Sequence, residues 1–448
     1  MKSPMTAERP AAASAPAAPN APVAPNAPSN DPSRIVRSSM QISSRISRMK
    51  ESATLATGAK AAAMKARGID VVNLSGGEPD FVTPEPIREA AKKALDAGRT
   101  KYAPTPGDPA VREAIAAKFK RENGIECSAA HVTVCAGAKH AMYMVLQALV
   151  EPGAGDEVIL PTPAWVSYRP IIELAGARCV EVPSSVDTRF RLDPAAIERA
   201  ITPKTVGLVL NSPSNPCGTV SSPTDLKALV DMLVRHPRVT IMSDEIYEKL
   251  IYPEITPGLS HWSPGSDPRV AERTITVNGL SKAYAMTGWR LGSIVAPGDG
   301  GRFMKELIKL QGQMTNSVPS AFMPAIIEAV VHGAASVESM RRVFASRAKR
   351  LHERLSKIDR LRTVASDGAF YAFPDMSRCM GLTSKGGTRI DSAQSFADAL
   401  LEEAHVAVVA GEDFGECARA HVRISFACGD AEIDRGCERL AEFVAGLR

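Results

Sequence analysis

One lysine in this 448-residue chain sits in a setting that does not suit a solvated charge. It is Lys282, in Asn278-Gly-Leu-Ser-Lys-Ala-Tyr-Ala-Met-Thr-Gly-Trp-Arg-Leu-Gly292, with small and apolar neighbours and Arg290 a short way on. Gly279, Gly288 and Gly292 mark places where the backbone turns tightly or another group approaches closely. Residues 273–278 read as a short β-strand, which is expected to deliver the lysine to a sheet edge. A lysine desolvated in such a place has a lowered pKa and condenses with carbonyls as a Schiff base. Arg290, always charged and fork-shaped, suits a phosphate. An amine for an aldehyde and a guanidinium for a phosphate together describe pyridoxal phosphate. The competing reading is a buried structural lysine beside an unrelated arginine.

Other stretches offer the remaining groups such a cofactor needs, each with a plainer alternative. Ala136-Gly-Ala-Lys-His-Ala-Met142 runs from a strand into a helix. Backbone N–H groups at a helix N-terminus bind anions, so Gly137, Ala138 and Lys139 form a candidate phosphate cup. A small-residue turn of this kind is common, and Lys139 could lie on the helix surface. Trp165, one of three tryptophans, offers a flat ring to stack on a pyridine or to fill a core. Asn215, in Asn211-Ser-Pro-Ser-Asn-Pro-Cys-Gly218, can donate to a phenolic oxygen or make an ordinary Asn-Pro turn, with the Asn215-Pro216 bond open to cis. Asp244, after the strand 240–242, would hold a proton on a pyridine nitrogen, with Tyr247 on the phenolic oxygen. The alternative makes them a helix cap and a core aromatic. Arg423 interrupts the apolar strand His421-Val-Arg-Ile-Ser-Phe426. Buried there it must find an anion: a substrate carboxylate, or an Asp or Glu of the chain.

The segment 279–292 resembles the pyridoxal-attachment signature of class I aminotransferases, and with the other motifs the chain resembles the bacterial aspartate aminotransferases, including those that also use prephenate. The resemblance covers roughly residue 45 to the C-terminus. It implies Lys282 as the covalent attachment point and acid–base group, with Asp244 and Tyr247 tuning the ring. It further implies Gly137, Ala138, Lys139, Trp165, Asn215, Ser281 and Arg290 around the cofactor. Gly77, Lys139, Trp165, Asn215 and Arg423 are then placed on the substrate, with Arg423 on its α-carboxylate and Lys139 toward the distal carboxylate of a dicarboxylic acid. Tyr102 is implied to reach the cofactor phosphate of the other subunit in a homodimer. Four departures stand out: Ala138 where the family usually has Gly, His140 where it often has Gln, Cys217 where it usually has Thr or Ser, and Ala164 where it is usually aromatic. The last is expected to widen the pocket, and the 311–319 loop is expected to face the substrate side chain. The implied activity is transfer of an amino group from an amino acid, aspartate first, to 2-oxoglutarate. Prephenate or aromatic amino acids are the runners-up. A carbon–sulfur lyase or a non-catalytic pyridoxal-sensing regulator is more remote, since the segment before Arg45 is too short and Pro-rich for a helix-turn-helix.

The elements that must hold these residues follow from periodicity. Apolar runs at 131–135, 157–160, 206–210, 240–242 and 274–277 alternate with helical segments, which predicts a mostly parallel sheet covered on both faces. Sites in such sheets form where loops leave the strand ends. The expected architecture is an α/β fold of fold type I: a large cofactor-binding domain at 84–320, and a smaller α+β domain at 321–448 with its connecting helix, joined by an N-terminal arm at 34–83. Helical spacing also runs from Ile42 to Met64, and 84–95 reads as a helix with Pro near its start. Residues 1–33, a loose Ala/Pro/Asn repeat, read as a disordered tail. The hydrophobic fraction of 44% and charged fraction of 23% are those of a globular protein, and the net charge of +5 is small for the length. The basic residues are not clustered, so neither nucleic acid nor a membrane is expected as partner. Eight cysteines without a C-x-x-C pair read as free thiols in a reducing cytoplasm, with no metal site.

Overall fold

The computed structural model describes residues 40–49, 51 and 53–448, so the expected 1–33 tail lies outside the described residues. The described residues fall into two units, one up to Arg48 and one from Met49 to Arg448. The described part of the first carries one short helix, Ser44–Ser47, and the second begins with the helix Ala53–Ala66. The helical spacing seen from Ile42 to Met64 is therefore two helices.

Within the second unit the strands are β1 (Val72–Asn73), β2 (Val132–Cys135), β3 (Glu157–Thr162), β4 (Arg178–Pro183), β5 (Thr205–Asn211), β6 (Thr240–Asp244), β7 (Thr274–Gly279), β8 (Gly292–Val295), β9 (Tyr371–Ala372), β10 (Val406–Ala407), β11 (Val409–Ala410) and β12 (Val422–Ser425). β2 to β8 form one seven-stranded sheet in the order β2-β8-β7-β6-β5-β3-β4. Pairing is parallel except around β8, which is antiparallel to both β2 and β7. Every residue of β2, β7 and β8 is buried, as expected for strands covered on both faces by crossover helices. Two strands went unread in the sequence. β4 is an edge strand whose Arg178 and Glu181 interrupt the apolar run. β8 is only four residues long and follows directly on Leu291.

One expectation about the lysine needs correcting. β7 is an interior strand, third of seven, so Lys282 lies beyond a strand end and not at an edge of the sheet. That position is the more useful one, because neighbouring parallel strands β5 and β6 end beside it with Asn211 and Asp244 in register. The rest of the chain builds smaller sheets: β11-β12-β9, antiparallel, and the parallel pair β1-β10. β12 carries Arg423 and β9 carries Tyr371. Between the sheet systems runs the Ala334–Leu355 helix, which buries Val337, Met340, Phe344, Arg347, Leu351 and Leu355 along one face. No single described helix is long and apolar enough to cross a membrane.

Candidate active site

Strand ends and the loops that follow them converge on a cavity of about 440 Å³. Its lining includes Gly77, Ala138, Lys139, Trp165, Asn215, Asp244, Tyr247, Ser281, Lys282, Arg290 and Arg423, residues drawn from nearly the whole length of the second unit. Gly137 joins them through its close approach to Arg290. Tyr102 does not line this cavity; it is 90% exposed.

Lys282 follows β7 after two residues, and its Nζ donates to the Gly77 carbonyl at 2.5 Å. Burial, together with the nearby Arg423, lowers its pKa from 10.5 to about 8. Asp244 ends β6, fully enclosed. Its Oδ2 accepts from the Tyr168 hydroxyl at 2.7 Å and its Oδ1 from the Ile246 N–H at 3.2 Å. Burial outweighs those bonds and raises its pKa from 3.8 to about 6. The residue is not a helix cap: no helix starts there. Behind it Glu245, 1% exposed, accepts from Ser243, Ser263 and Asn123 and contacts His261 at 3.0 Å, which pins the end of β6.

The cup at the Ala138–Leu149 helix has the geometry its sequence suggested. Gly137 precedes the helix at φ +85°, with no side chain capping the first turn. The N–H groups of residues 138–140 are thereby left for an anion, while that of Gly137 donates to the Cys135 carbonyl at 2.7 Å. Gly292 of β8 lies so close that a Cβ there would be 2.7 Å from the Gly137 carbonyl carbon and 2.8 Å from the Ala138 nitrogen. Arg290 reaches over the cup, donating to Thr287 O at 2.9 Å and to Ala136 O at 3.4 Å. A Cβ on residue 137 would fall 2.7 Å from its Nη2. His140, unusual at this position, supports the cup from behind: its Nδ1 accepts from the Ala136 N–H at 3.3 Å.

Arg423, 1% exposed, donates to Asn215 Oδ1 at 3.1 Å and to the Ser75 carbonyl at 2.9 Å. Its Nε has no partner, and among the described residues no carboxylate is within ion-pairing distance. The internal salt bridge that the sequence left open is therefore absent. A buried guanidinium without an anion is costly unless one arrives. Lys139 likewise makes no ion pair among the described residues and lies 4.9 Å over the Trp165 ring.

Two residues were not singled out in the sequence. Tyr168 holds Asp244, and Tyr371 meets the Tyr247 hydroxyl at 2.9 Å while its ring lies 4.5 Å under Arg423. Tyr168 lies three residues after Trp165 and could have been found there; Tyr371 lies on β9 with no local signal of a role. Two expectations fail. Ala164 lines a separate internal cavity of about 50 Å³ with Asn211, Ser212 and Cys217, so its small side chain opens space behind the site, not in it. The 311–319 loop does not reach the cavity of its own chain. Gln311 is buried against Thr133, Val134 and Thr105, and Asn316 contacts Thr105.

The donors fit pyridoxal phosphate: an enclosed amine, an uncapped helix end beneath an arginine, and a buried carboxylate whose raised pKa calls for a cation. The sequence profile described as aminotransferase class I and II matches residues 69–440. The chain belongs to that family. It is a pyridoxal-phosphate-dependent aminotransferase of fold type I. It is 41% identical over 407 residues to an aspartate/prephenate aminotransferase of Cereibacter sphaeroides, covering 91% of this chain and 99% of that one. An aspartate aminotransferase of Geobacillus stearothermophilus is 40% identical over 406 residues, covering 90% and 99%. Among solved structures, the aspartate aminotransferase of Rhizobium meliloti superposes with a TM-score of 0.86 at 38% identity, over 92% of this chain and all of that one. The Thermus thermophilus aspartate aminotransferase with maleate gives 0.82 at 40% identity, over 90% and 100%.

Proposed function

We propose that this aminotransferase moves the amino group of aspartate to 2-oxoglutarate in two half-reactions, both run by the same set of cavity residues. The observation that carries the substrate choice is a pair of cations at the cavity, Arg423 and Lys139, neither matched by a carboxylate among the described residues. Two such cations in one cavity with a reactive amine suit an amino acid with two carboxylates. The Thermus thermophilus relative was solved with maleate, itself a dicarboxylate. Prephenate is the second acceptor to consider, because the Cereibacter relative bears that name.

Pyridoxal phosphate supplies, when bound, a carbonyl carbon that takes the amine and a cationic ring that draws the electron pair left at Cα. Arg290, Ser281 and the N–H groups of Ala138 and Lys139, at the turn Gly137 makes, would hold its phosphate. Trp165 would flank the ring, and Asp244 would keep a proton on its nitrogen. Asn215, whose carbonyl is taken by Arg423, and Tyr247 would serve its phenolic oxygen. Arg423 clamps the substrate α-carboxylate next to Gly77, and Lys139 meets the distal carboxylate. Lys282 would be the residue that holds the cofactor covalently between turnovers. Its free Nζ would take and return the Cα proton, and a pKa of about 8 suits it to that work near neutral pH.

In the same reading residues 84–320 form the large domain, and 321–448 with 53–83 the small one; residues 34–39 of the expected arm lie outside the described residues. The working unit is a cytoplasmic homodimer in which the exposed Tyr102 serves the partner's cofactor phosphate. The deciding experiment is a panel of amino donors against 2-oxoglutarate, oxaloacetate and prephenate, run on the native protein and on Lys139→Ala. Dicarboxylic substrates should lose about tenfold or more in kcat/KM with that change while monocarboxylic ones hold. An equal loss for both would remove Lys139 from substrate recognition.

A further inference from the structure

The residue that receives the Lys282 hydrogen bond, Gly77, belongs to a loop with no secondary structure of its own. Residues 76–81 begin with two glycines and run as coil and bends. Such a segment must be fixed by outside contacts if its carbonyl is to stay 2.5 Å from Lys282 Nζ. Three contacts do this. Glu78 Oε2 accepts from Thr287 Oγ1 at 2.6 Å, tying the loop to the lysine's own segment. Phe81 packs edge-on against Phe344, centroids 5.4 Å apart. Asp80 takes both arms of Arg347, Nη1 to Oδ1 at 2.7 Å and Nη2 to Oδ2 at 2.9 Å.

Arg347 is suited to be the fixed end of that clamp. It is 7% exposed on the Ala334–Leu355 helix, with its guanidinium 5.5 Å from the Phe81 ring centre and 5.7 Å from that of Phe344. Asp430, at 3.4 Å from Nε, gives it a second carboxylate. A paired, fork-shaped ion pair of this kind fixes direction as well as distance, which a single surface contact does not. Neither Asp80 nor Arg347 lines the cavity.

We propose that Asp80 and Arg347 are positioning residues for Lys282: their bidentate pair locks the 76–81 loop so that the Gly77 carbonyl holds the lysine amine in place. The proposal rests on the reading of Lys282 as the reactive amine. Burial first, then Arg423 and Arg290, disfavour the charged amine, while Glu78 and Asp244 favour it. Freeing the loop removes the Gly77 hydrogen bond and lets the amine swing.

The test uses the full chain without cofactor, so that it does not depend on turnover. Asp80→Asn and Arg347→Lys are compared with the native protein and with Arg354→Gln. That control breaks an ion pair of the same helix, Arg354 Nε to Asp434 Oδ1 at 2.7 Å, which involves neither Asp80 nor Asp430. Amide exchange of residues 77–81 is followed by mass spectrometry. The pH dependence of Lys282 trinitrophenylation is followed on the same samples. Both variants should exchange about tenfold faster in the loop. Lys282 should be trinitrophenylated several-fold faster across the pH range, because its amine is no longer held. Arg354→Gln should match the native protein in both. Native exchange and trinitrophenylation in both clamp variants would overturn the proposal, as would equal changes in the Arg354→Gln control. Lys282→Ala turnover tests the underlying reading separately: retained transamination there would dismiss the lysine's role whatever the clamp does.

Discussion

Replacing Asp244 by Asn should make the cofactor-free protein more stable while it destroys the site. Asp244 is 2% exposed, and burial raises its pKa from 3.8 to about 6. The proton is thus held more tightly in the fold than in the unfolded chain. The group's contribution to stability is complete below pH 3.8 and is lost as the pH rises through about 6. One pKa unit corresponds to about 1.4 kcal/mol, so the ionised carboxylate costs the cofactor-free fold roughly 3 kcal/mol near neutral pH. Asn is isosteric and cannot ionise. It keeps only one of the two acceptors that now serve Tyr168 and Ile246, which costs about 1 kcal/mol. The net expectation is a variant about 2 kcal/mol more stable at pH 7.5, its advantage gone near pH 4. Urea unfolding of both proteins at the two pH values measures this. Adding pyridoxal phosphate should reverse the order at pH 7.5, because only the carboxylate gains a cationic partner. An Asn variant less stable than the native protein at pH 7.5, or a difference that ignores pH, would refute the reasoning.

Three other changes probe the remaining parts. Lys282→Ala should abolish both turnover and the absorbance of covalently held cofactor, which a spectrum and a single assay will show. Arg423→Lys replaces a fork by a point charge at a fully enclosed position. It should lower kcat/KM for every amino donor by roughly 10- to 100-fold, measured by steady-state kinetics with the fold checked by circular dichroism. Gly292→Ala puts a methyl 2.7 Å from the Gly137 carbonyl carbon. It should cost ~1–3 kcal/mol in urea unfolding and weaken cofactor binding, since the cup itself must shift.

The local sequence was enough to single out the candidate groups. Lys282 and Arg290 on either side of an apolar segment, Asp244 after a β-rich run, and Arg423 inside an apolar strand are each out of place unless something unusual meets them. Strand periodicity likewise made the mostly parallel sheet legible, because β2, β3, β5, β6 and β7 are near-continuous apolar runs. Long-range pairing was not legible. Nothing local says that β7 is interior, or that β8 turns back antiparallel so that Gly292 touches Gly137. Nor does it show that Arg423 lacks a carboxylate, that Tyr168 and Tyr371 complete the site, or that Ala164 opens a void behind it. Those are facts about distances between residues far apart along the chain. Residue type sets what a group can do, and only the packed chain sets what stands next to it.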